Sequence, residues 1–294
     1  MMTSFSLLSL LRIETRKLTG RALLWVEVGL LALFIAALHL ALMAVLSQPN
    51  PQGMPPEAVN ALQASLRWPE GLLSGLTFAN GGELGGLFVV VLVAALAAQE
   101  YTWRTVHLWL SRGVERGAYL LAKFGGIVLA LFLLALTALV VGGVVTGIYT
   151  WKTVGALPWH AMPWAEAGLG VFKIVLTMLP YAGLTLAVAV LSRSTMVAIG
   201  VGLGYSLLVE NLAVEVLVLL SPGVARVARY LPTMLAKSVV GSISATEMAV
   251  SVGMQGGDAP SLLSPGLASV LLVGYALMGL AVAWWAFRRQ DISA

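Results

Sequence analysis

Six long runs of mostly apolar residues dominate the sequence. A helix that spans a membrane needs about 20 such residues. The runs cover about 22–47, 82–99, 124–149, 167–191, 196–220 and 265–287. Charged residues make up 10% of the chain, against about 25% in soluble domains, which is too few for a water-facing surface. We therefore predict an all-α membrane protein in which residues 1–294 form a single transmembrane domain with six helices.

The placement of lysine and arginine predicts the orientation of these helices. With the N-terminus inside, the cytoplasmic segments hold eleven of the 17 basic residues and the outer segments hold five. Cytoplasmic loops of membrane proteins usually carry this excess of positive charge. The sequence therefore predicts a multi-pass protein of the plasma (inner) membrane with both termini in the cytoplasm.

One fairly apolar segment, residues 229–253, could change this topology. A seventh span there would place the basic C-terminal end outside the cell. The segment contains Pro232, Lys237 and Glu247, which do not favour a span. We predict instead that the extracytoplasmic stretch 221–264 contains an amphipathic or re-entrant helix packed against protein.

Residues 4–21 predict an amphipathic interfacial helix, or elbow helix, before the first span. Leu7, Leu11 and Leu18 share one face of a helix, and basic amphipathic helices of this kind lie in the headgroup plane. Glu14 falls on the apolar side, where a carboxylate needs a cation, and Lys17 is the nearest one. A basic group on another chain is the other possible partner, and a simple membrane anchor is the alternative role.

The second cytoplasmic segment, residues 100–123, is too polar to span a membrane and too long for a tight turn. Glu100 and Arg104 have the spacing of an ion pair within a helix, and the charges around Gly113 predict a break between two short helices. Apolar residues such as Trp103 lie beside these charges. A mixed apolar and charged surface suits the docking of a soluble partner, and a solvated charged loop is the alternative.

Four features occur in a fixed order along the chain. They are the N-terminal helix with Glu14, Lys17, Leu18 and Arg21; Glu100 followed by Arg104, Thr105, the stretch 111–116 and Lys123; the short turn 191–194; and the ending 287–292. Together they resemble the permease (transmembrane) subunits of the type-2 ABC transporter exporter superfamily. The inner loop departs from the family pattern at two points, because Trp103-Arg104 replaces a glycine before threonine and Gly113 stands where proline is common.

This resemblance implies a separate ABC-type ATPase subunit as partner, and a second permease chain that makes a homodimer within the membrane lipid. ATP and Mg would be bound by the ATPase. The implied contact residues are Glu14, Lys17, Glu100, Arg104, Thr105, Arg112 and Arg116. The chain itself contains no GxxxxGK[ST] phosphate loop. We therefore expect a transport subunit that is no enzyme, with no cofactor, catalytic residue or metal of its own and no nucleic-acid partner.

Some charged residues lie within the apolar runs. A charge at the centre of a bilayer costs about 2.5–3.5 kcal/mol on insertion scales, so these residues should face protein or water. Lys173 and Glu215 lie at similar depths, and we predict that they pair, either to fix helix packing or to contact a substrate. Glu210, which precedes Asn211, is the candidate for a polar patch that faces a pathway.

Two other functions account for part of the sequence. An ion-gradient-driven secondary transporter would explain the intramembrane acids, but it predicts an inverted repeat and broken spans, which are not evident. A permease-like mechanotransmission subunit that moves no substrate would use the outer segment 221–264. An intramembrane enzyme has little support, because no catalytic or metal-binding set of residues lies in the spans. A lipid, a peptide, an antibiotic or an ion would all be compatible as substrate.

Overall fold

The computed structural model describes residues 6–48, 56–103, 105–213, 226–243 and 262–290, and within these ranges the regular structure is entirely helical. The helices, in chain order, are α1 (Leu7–Thr19), α2 (Ala22–Leu46), α3 (Pro56–Ser65), α4 (Gly71–Phe78), α5 (Leu84–Thr102), α6 (Thr105–Ser111), α7 (Arg116–Val154), α8 (Trp164–Ser192), α9 (Thr195–Leu203), α10 (Pro232–Val240) and α11 (Pro265–Arg289).

Six helices in the described ranges are long and apolar enough to cross a membrane. They are α2, α5, α7, α8, α9 with its continuation to Leu212, and α11. This confirms the predicted all-α membrane fold with six spans. Hydropathy locates such helices well, because a backbone in lipid must satisfy its own hydrogen bonds and does so within a helix.

The third span, α7, is much longer than its apolar run. It has 39 residues and begins at Arg116, well before the predicted start at 124. At 1.5 Å per residue it is about 58 Å long, roughly twice the ~30 Å hydrocarbon core of a bilayer. It ends at Val154 and is capped by Gly155, whose φ of 81° is a left-handed conformation that glycine adopts at little cost. The helix therefore extends beyond the membrane core.

The fifth span changes its helical type. It begins as α9, where the side chain of the N-cap Ser194 accepts a hydrogen bond from the Val197 N–H at 3.4 Å. From Gly204 to Ala213 it continues as a π-helix. π-Helical segments are rare and are frequently found at functional sites. The rest of the predicted span 196–220 lies outside the described residues.

Glycines bring neighbouring helices into backbone contact. Gly75 of α4 lies against the carbonyl of Ala138 and against Gly142 of α7, so a side chain at Gly75 would overlap the α7 backbone. Gly183 of α8 lies against Gly279 of α11 in the same way. Such small-residue contacts are the usual means of close helix packing in lipid. They hold α4, α7, α8 and α11 together around the buried core.

The described part of the stretch 221–264, which we predicted to be extracytoplasmic, contains the short helix α10 rather than a span. Its nine residues make a helix of about 14 Å, less than half of the ~30 Å hydrocarbon core. Most of its side chains are buried, and Leu235 and Val239 pack against α11. The position of α10 relative to the membrane surface stays a prediction.

Candidate functional site

A buried group of charges joins α1, α5 and α7 where one end of each helix meets the others. We call it the charge cluster: Glu14, Lys17, Arg21, Glu100 and Lys123. The Lys123 ammonium donates to Glu100 Oε1 at 2.6 Å and to Glu14 Oε2 at 2.8 Å. Glu100 is only 1% exposed and Lys123 only 4%. Charges buried to this degree are stable only when they are paired and hydrogen-bonded.

The remaining cations of the cluster come from α1 and the residue that follows it. Lys17 donates to Glu14 Oε1 at 2.9 Å, which confirms the predicted partner of Glu14, and to Glu100 Oε1 at 3.3 Å. Arg21 Nη2 lies 3.7 Å from Glu100 Oε1. Both oxygens of Glu14 are thus bound by lysines of the same chain. The cluster contains three cations and two carboxylates, so it carries a net charge of about +1.

Aromatic side chains surround the charges and connect them to α6 and α11. The Tyr119 hydroxyl donates to Glu100 Oε2, and its ring stacks on Phe287 of α11 with 5.5 Å between ring centres. Lys17 lies 4.6 Å from the ring centre of Trp109 in α6, and the Arg21 guanidinium lies 5.4 Å from that of Trp103. Cation–π contacts at partly exposed sites such as these stabilise by about 0.5–1 kcal/mol each. The cluster therefore links five helices.

The loop between α5 and α7 has a short helix and a break. α6 begins after Thr102 ends α5, and Gly113, with a φ of 80°, makes the turn into α7. Trp103 is 59% exposed, and Leu108 of α6 is exposed as well. Arg112 lies exposed beside Gly113. Apolar and charged side chains thus share one surface at the cluster end of the molecule.

Two more of the predicted contact residues bind backbone carbonyls rather than acids. The Thr105 hydroxyl donates to the carbonyl of Glu100 at 3.2 Å. Arg116 Nη1 donates to the carbonyls of Phe287 and Arg288 at 3.2 and 2.6 Å, which ties the start of α7 to the end of α11. Arg104 lies outside the described residues, so its predicted pair with Glu100 stays a prediction. Glu100 itself is bound by Lys123, Lys17 and Arg21.

A second polar centre lies around Glu210 in the π-helical segment. Glu210 is 2% exposed, and its Oε2 accepts hydrogen bonds from the hydroxyls of Tyr181 and Thr233, both at 2.5 Å. These contacts join α8, the π-helix and α10. Asn211 donates to the carbonyl of Ser206 at 2.8 Å. The carboxylate is thus enclosed at a junction of helices, and its role in a pathway stays a prediction.

Lys173 binds α8 to the residues that follow α10. Its ammonium donates to the carbonyl oxygen of Ser242 at 3.0 Å and to the Ser242 hydroxyl at 2.9 Å. The predicted partner Glu215 lies outside the described residues, so the Lys173–Glu215 pair stays a prediction. Within the described ranges, no group of three or more histidine, aspartate or glutamate side chains could hold a metal ion.

Two residues of the charge cluster, Arg21 and Lys123, were not among the predicted contact residues, and neither was Tyr119, which binds Glu100. Two signals for Lys123 were present in the sequence. Glu14 lies on the apolar side of α1 and needs a cation, and Lys123 ends the polar segment just before an apolar run. No signal pointed to Tyr119, since its hydroxyl meets Glu100 only through the packing of α5 against α7.

Six apolar helices, with ion pairs buried where α1, α5 and α7 meet, define the chain as a multi-pass helical membrane protein. The chain belongs to the family DUF2705, described as a protein of unknown function, which matches residues 82–293. The match covers five of the six spans and includes Glu100 and Lys123, while α1 precedes it. No curated protein matches the chain.

Proposed function

We propose that the chain is the membrane-spanning permease subunit of an ATP-driven ABC exporter of the type-2 superfamily. A separate cytoplasmic ATPase subunit binds ATP and Mg²⁺ and hydrolyses the nucleotide. Two permease chains, as a homodimer in the plasma (inner) membrane, move the substrate by rigid-body tilting of their spans. Both termini and the charge cluster face the cytoplasm.

The charge cluster is the observation that carries this proposal. Through Glu100 and Lys123 it fastens α1 to the end of α5 and the start of α7, the two spans on either side of α6. Short connections join α6 to both spans. A displacement of α6 by a docked subunit therefore moves α1, α5 and α7 together. Energetic coupling of this kind needs a contiguous network of packed and hydrogen-bonded groups.

The surface at this end has the composition of a docking site. Trp103 and Leu108 are exposed beside Arg112, and protein interfaces are enriched in aromatic residues and arginine. Arg12 and Arg16 of α1 are exposed at the same end. An excess of basic residues is typical of the cytoplasmic side, where a nucleotide-hydrolysing partner would be found.

The test is nucleotide hydrolysis by the reconstituted complex of permease and ATPase. Glu100→Ala and Arg112→Ala should both insert in the membrane, and both should lower the stimulation of ATPase activity by the permease. Glu166→Ala, an exposed acidic residue at the start of α8 and far from the cluster, is the matched control and should behave like the unaltered chain. Unchanged stimulation and transport in both cluster-end variants would refute the docking role.

The same proteoliposomes distinguish the two other functions. A secondary transporter would move substrate when an ion gradient is imposed and no ATP or ATPase subunit is present, and that result would refute the proposal. A mechanotransmission subunit would respond normally to ATP yet move no substrate in any condition, which would refute the exporter role. The proposal requires substrate movement that depends on both subunits and on ATP hydrolysis.

A further inference from the structure

An open apolar groove with tryptophan walls lies far from the charge cluster. It encloses about 370 Å³ between α7 and the segments that precede α4 and α8. Its lining includes Trp68, Trp151, Trp159 and Trp164. Trp151 lies 28 residues beyond Lys123 on α7, or about 42 Å along the helix axis. The groove is therefore at the opposite end of the molecule.

The aromatic wall is held in place by specific contacts. Trp68 Nε1 donates to the carbonyl of Gly143 at 3.0 Å and to the Thr146 hydroxyl at 3.1 Å. Trp159 meets Trp68 edge-on with 5.2 Å between ring centres and stacks on Trp164 at 6.4 Å. Small-molecule sites are usually preformed in this way, with mostly apolar walls.

The length of the groove matches one leaflet of a bilayer. Its lining follows α7 from Leu139 to Trp151, which is about 18 Å of helix. Half of the hydrocarbon core is about 15 Å thick. Val144, midway along, is exposed on the lipid-facing side. Tryptophan favours the boundary between lipid and water, so the end of the groove at Trp151 lies at headgroup level. The rest, which includes the Trp68 indole beside Gly143 and Gly147, lies at acyl-chain depth.

Charged residues surround the tryptophan end of the groove. Arg67 and Lys152, each next to a groove tryptophan in sequence, are exposed. The N–H of the residue after Arg67 donates to the Thr150 hydroxyl at 2.9 Å, which brings the two basic positions to the same end. Basic residues at a membrane surface attract lipid phosphates. Glu70 is exposed nearby, so this end carries both signs of charge, as a zwitterionic headgroup does.

We propose that the groove binds one phospholipid of the bilayer. An acyl chain lies along α7 between Trp68 and Val144, and the headgroup phosphate is bound by Arg67 and Lys152. This inference is independent of the proposed transport function, since it rests on the shape, depth and charges of the groove alone.

The test is photolabelling of the purified full chain with phosphatidylethanolamine that carries a diazirine on one acyl chain, followed by peptide mapping. Adducts should concentrate between residues 139 and 151. Val144→Trp fills the groove and should lower these adducts roughly tenfold, which corresponds to about 1.4 kcal/mol. Leu136→Trp, at an exposed position of α7 outside the groove, is the matched control and should label as the unaltered chain does.

A second pair of variants tests the headgroup without altering the groove. Arg67→Gln with Lys152→Gln should weaken binding of the phospholipid by roughly fivefold for each charge, while labelling by a diazirine-bearing fatty alcohol stays unchanged. Equal labelling of Val144→Trp and Leu136→Trp would overturn the proposal, as would adducts spread evenly over all lipid-facing helices. Cross-links between two copies of the chain within the groove would assign it to a dimer interface instead.

Discussion

Replacing Glu100 by glutamine should destabilise the fold more than neutralising any other residue of the charge cluster. Glutamine has nearly the same shape and can still accept the Tyr119 hydrogen bond. The change leaves three cations around a single carboxylate, so the net charge of the buried group rises from about +1 to about +2. Removal of one partner of a buried ion pair costs about 3–5 kcal/mol. The lower end applies here, because Lys17 and Arg21 are partly exposed and Lys123 keeps Glu14 at 2.8 Å.

For Glu100→Gln, a loss of about 3 kcal/mol in the free energy of unfolding corresponds to a change of roughly 150-fold in the unfolding equilibrium constant. The assay is reversible unfolding of the purified chain from detergent micelles by dodecyl sulfate, followed by circular dichroism and by tryptophan fluorescence. Glu166→Gln, a neutralisation at an exposed site, should change the free energy of unfolding by less than about 0.5 kcal/mol.

The net charge of the cluster also predicts which variants lose more stability. Lys123→Met leaves two carboxylates with two cations, so it should cost less than Glu100→Gln even though Lys123 makes the shortest ion pair of the cluster. The double variant restores a net charge of about +1, and its cost should fall below the sum of the two single costs by about 0.5–3 kcal/mol. A larger cost for Lys123→Met than for Glu100→Gln would refute this reasoning, and so would strict additivity.

Three further predictions can be tested in the same unfolding assay. Gly75→Ala should lower the free energy of unfolding by about 1–3 kcal/mol, because its new methyl group would overlap the α7 backbone. Gly274→Ala is the control, and it should be neutral or slightly stabilising because the space around Gly274 is open. Equal effects of the two changes would contradict the packing argument. Trp68→Phe should cost about 1–2 kcal/mol for its two indole hydrogen bonds, and no loss would show that they contribute nothing. Glu210→Gln should be tolerated. Glu210→Leu leaves the hydroxyls of Tyr181 and Thr233 with only each other as partners among the described residues, so it should cost about 1–3 kcal/mol more, and similar costs would argue against a structural role for these bonds.

The six spans could be predicted from sequence because each depends on the composition of its own segment. The bounds of α7 could not, since hydropathy locates the part of a helix that lies in lipid and not where the helix begins. The residues from Arg116 to Lys123 are polar enough to leave the membrane, yet they remain helical because Tyr119 and Lys123 are fixed by Glu100.

Within the candidate site, only contacts between residues of the same helix could be predicted from the sequence. Glu14 and Lys17 are three residues apart on one helix, so helical geometry alone brings them together. Lys123 meets Glu14 across 109 residues of sequence, and nothing in the spacing fixes that distance. Lys173 similarly finds Ser242 through the packing of α8 beside α10. Nothing in the sequence pointed to this contact, and the predicted pair with Glu215 stays a prediction.

The membrane environment explains why ion pairs rather than apolar contacts fix the position of α1. Leu10 and Leu18 are buried against the bundle, but lipid tails are as apolar as leucine, so these contacts provide little of the driving force that they would provide in water. Hydrogen-bonded charges have no comparable partner among the lipid tails, and their geometry is directional. Under the proposed function, a subunit that displaces α6 therefore acts on the joint between α1, α5 and α7, where Glu100 and Lys123 fix the relative orientation of the three helices. The three helices at this joint tilt as one body as long as those two residues stay paired.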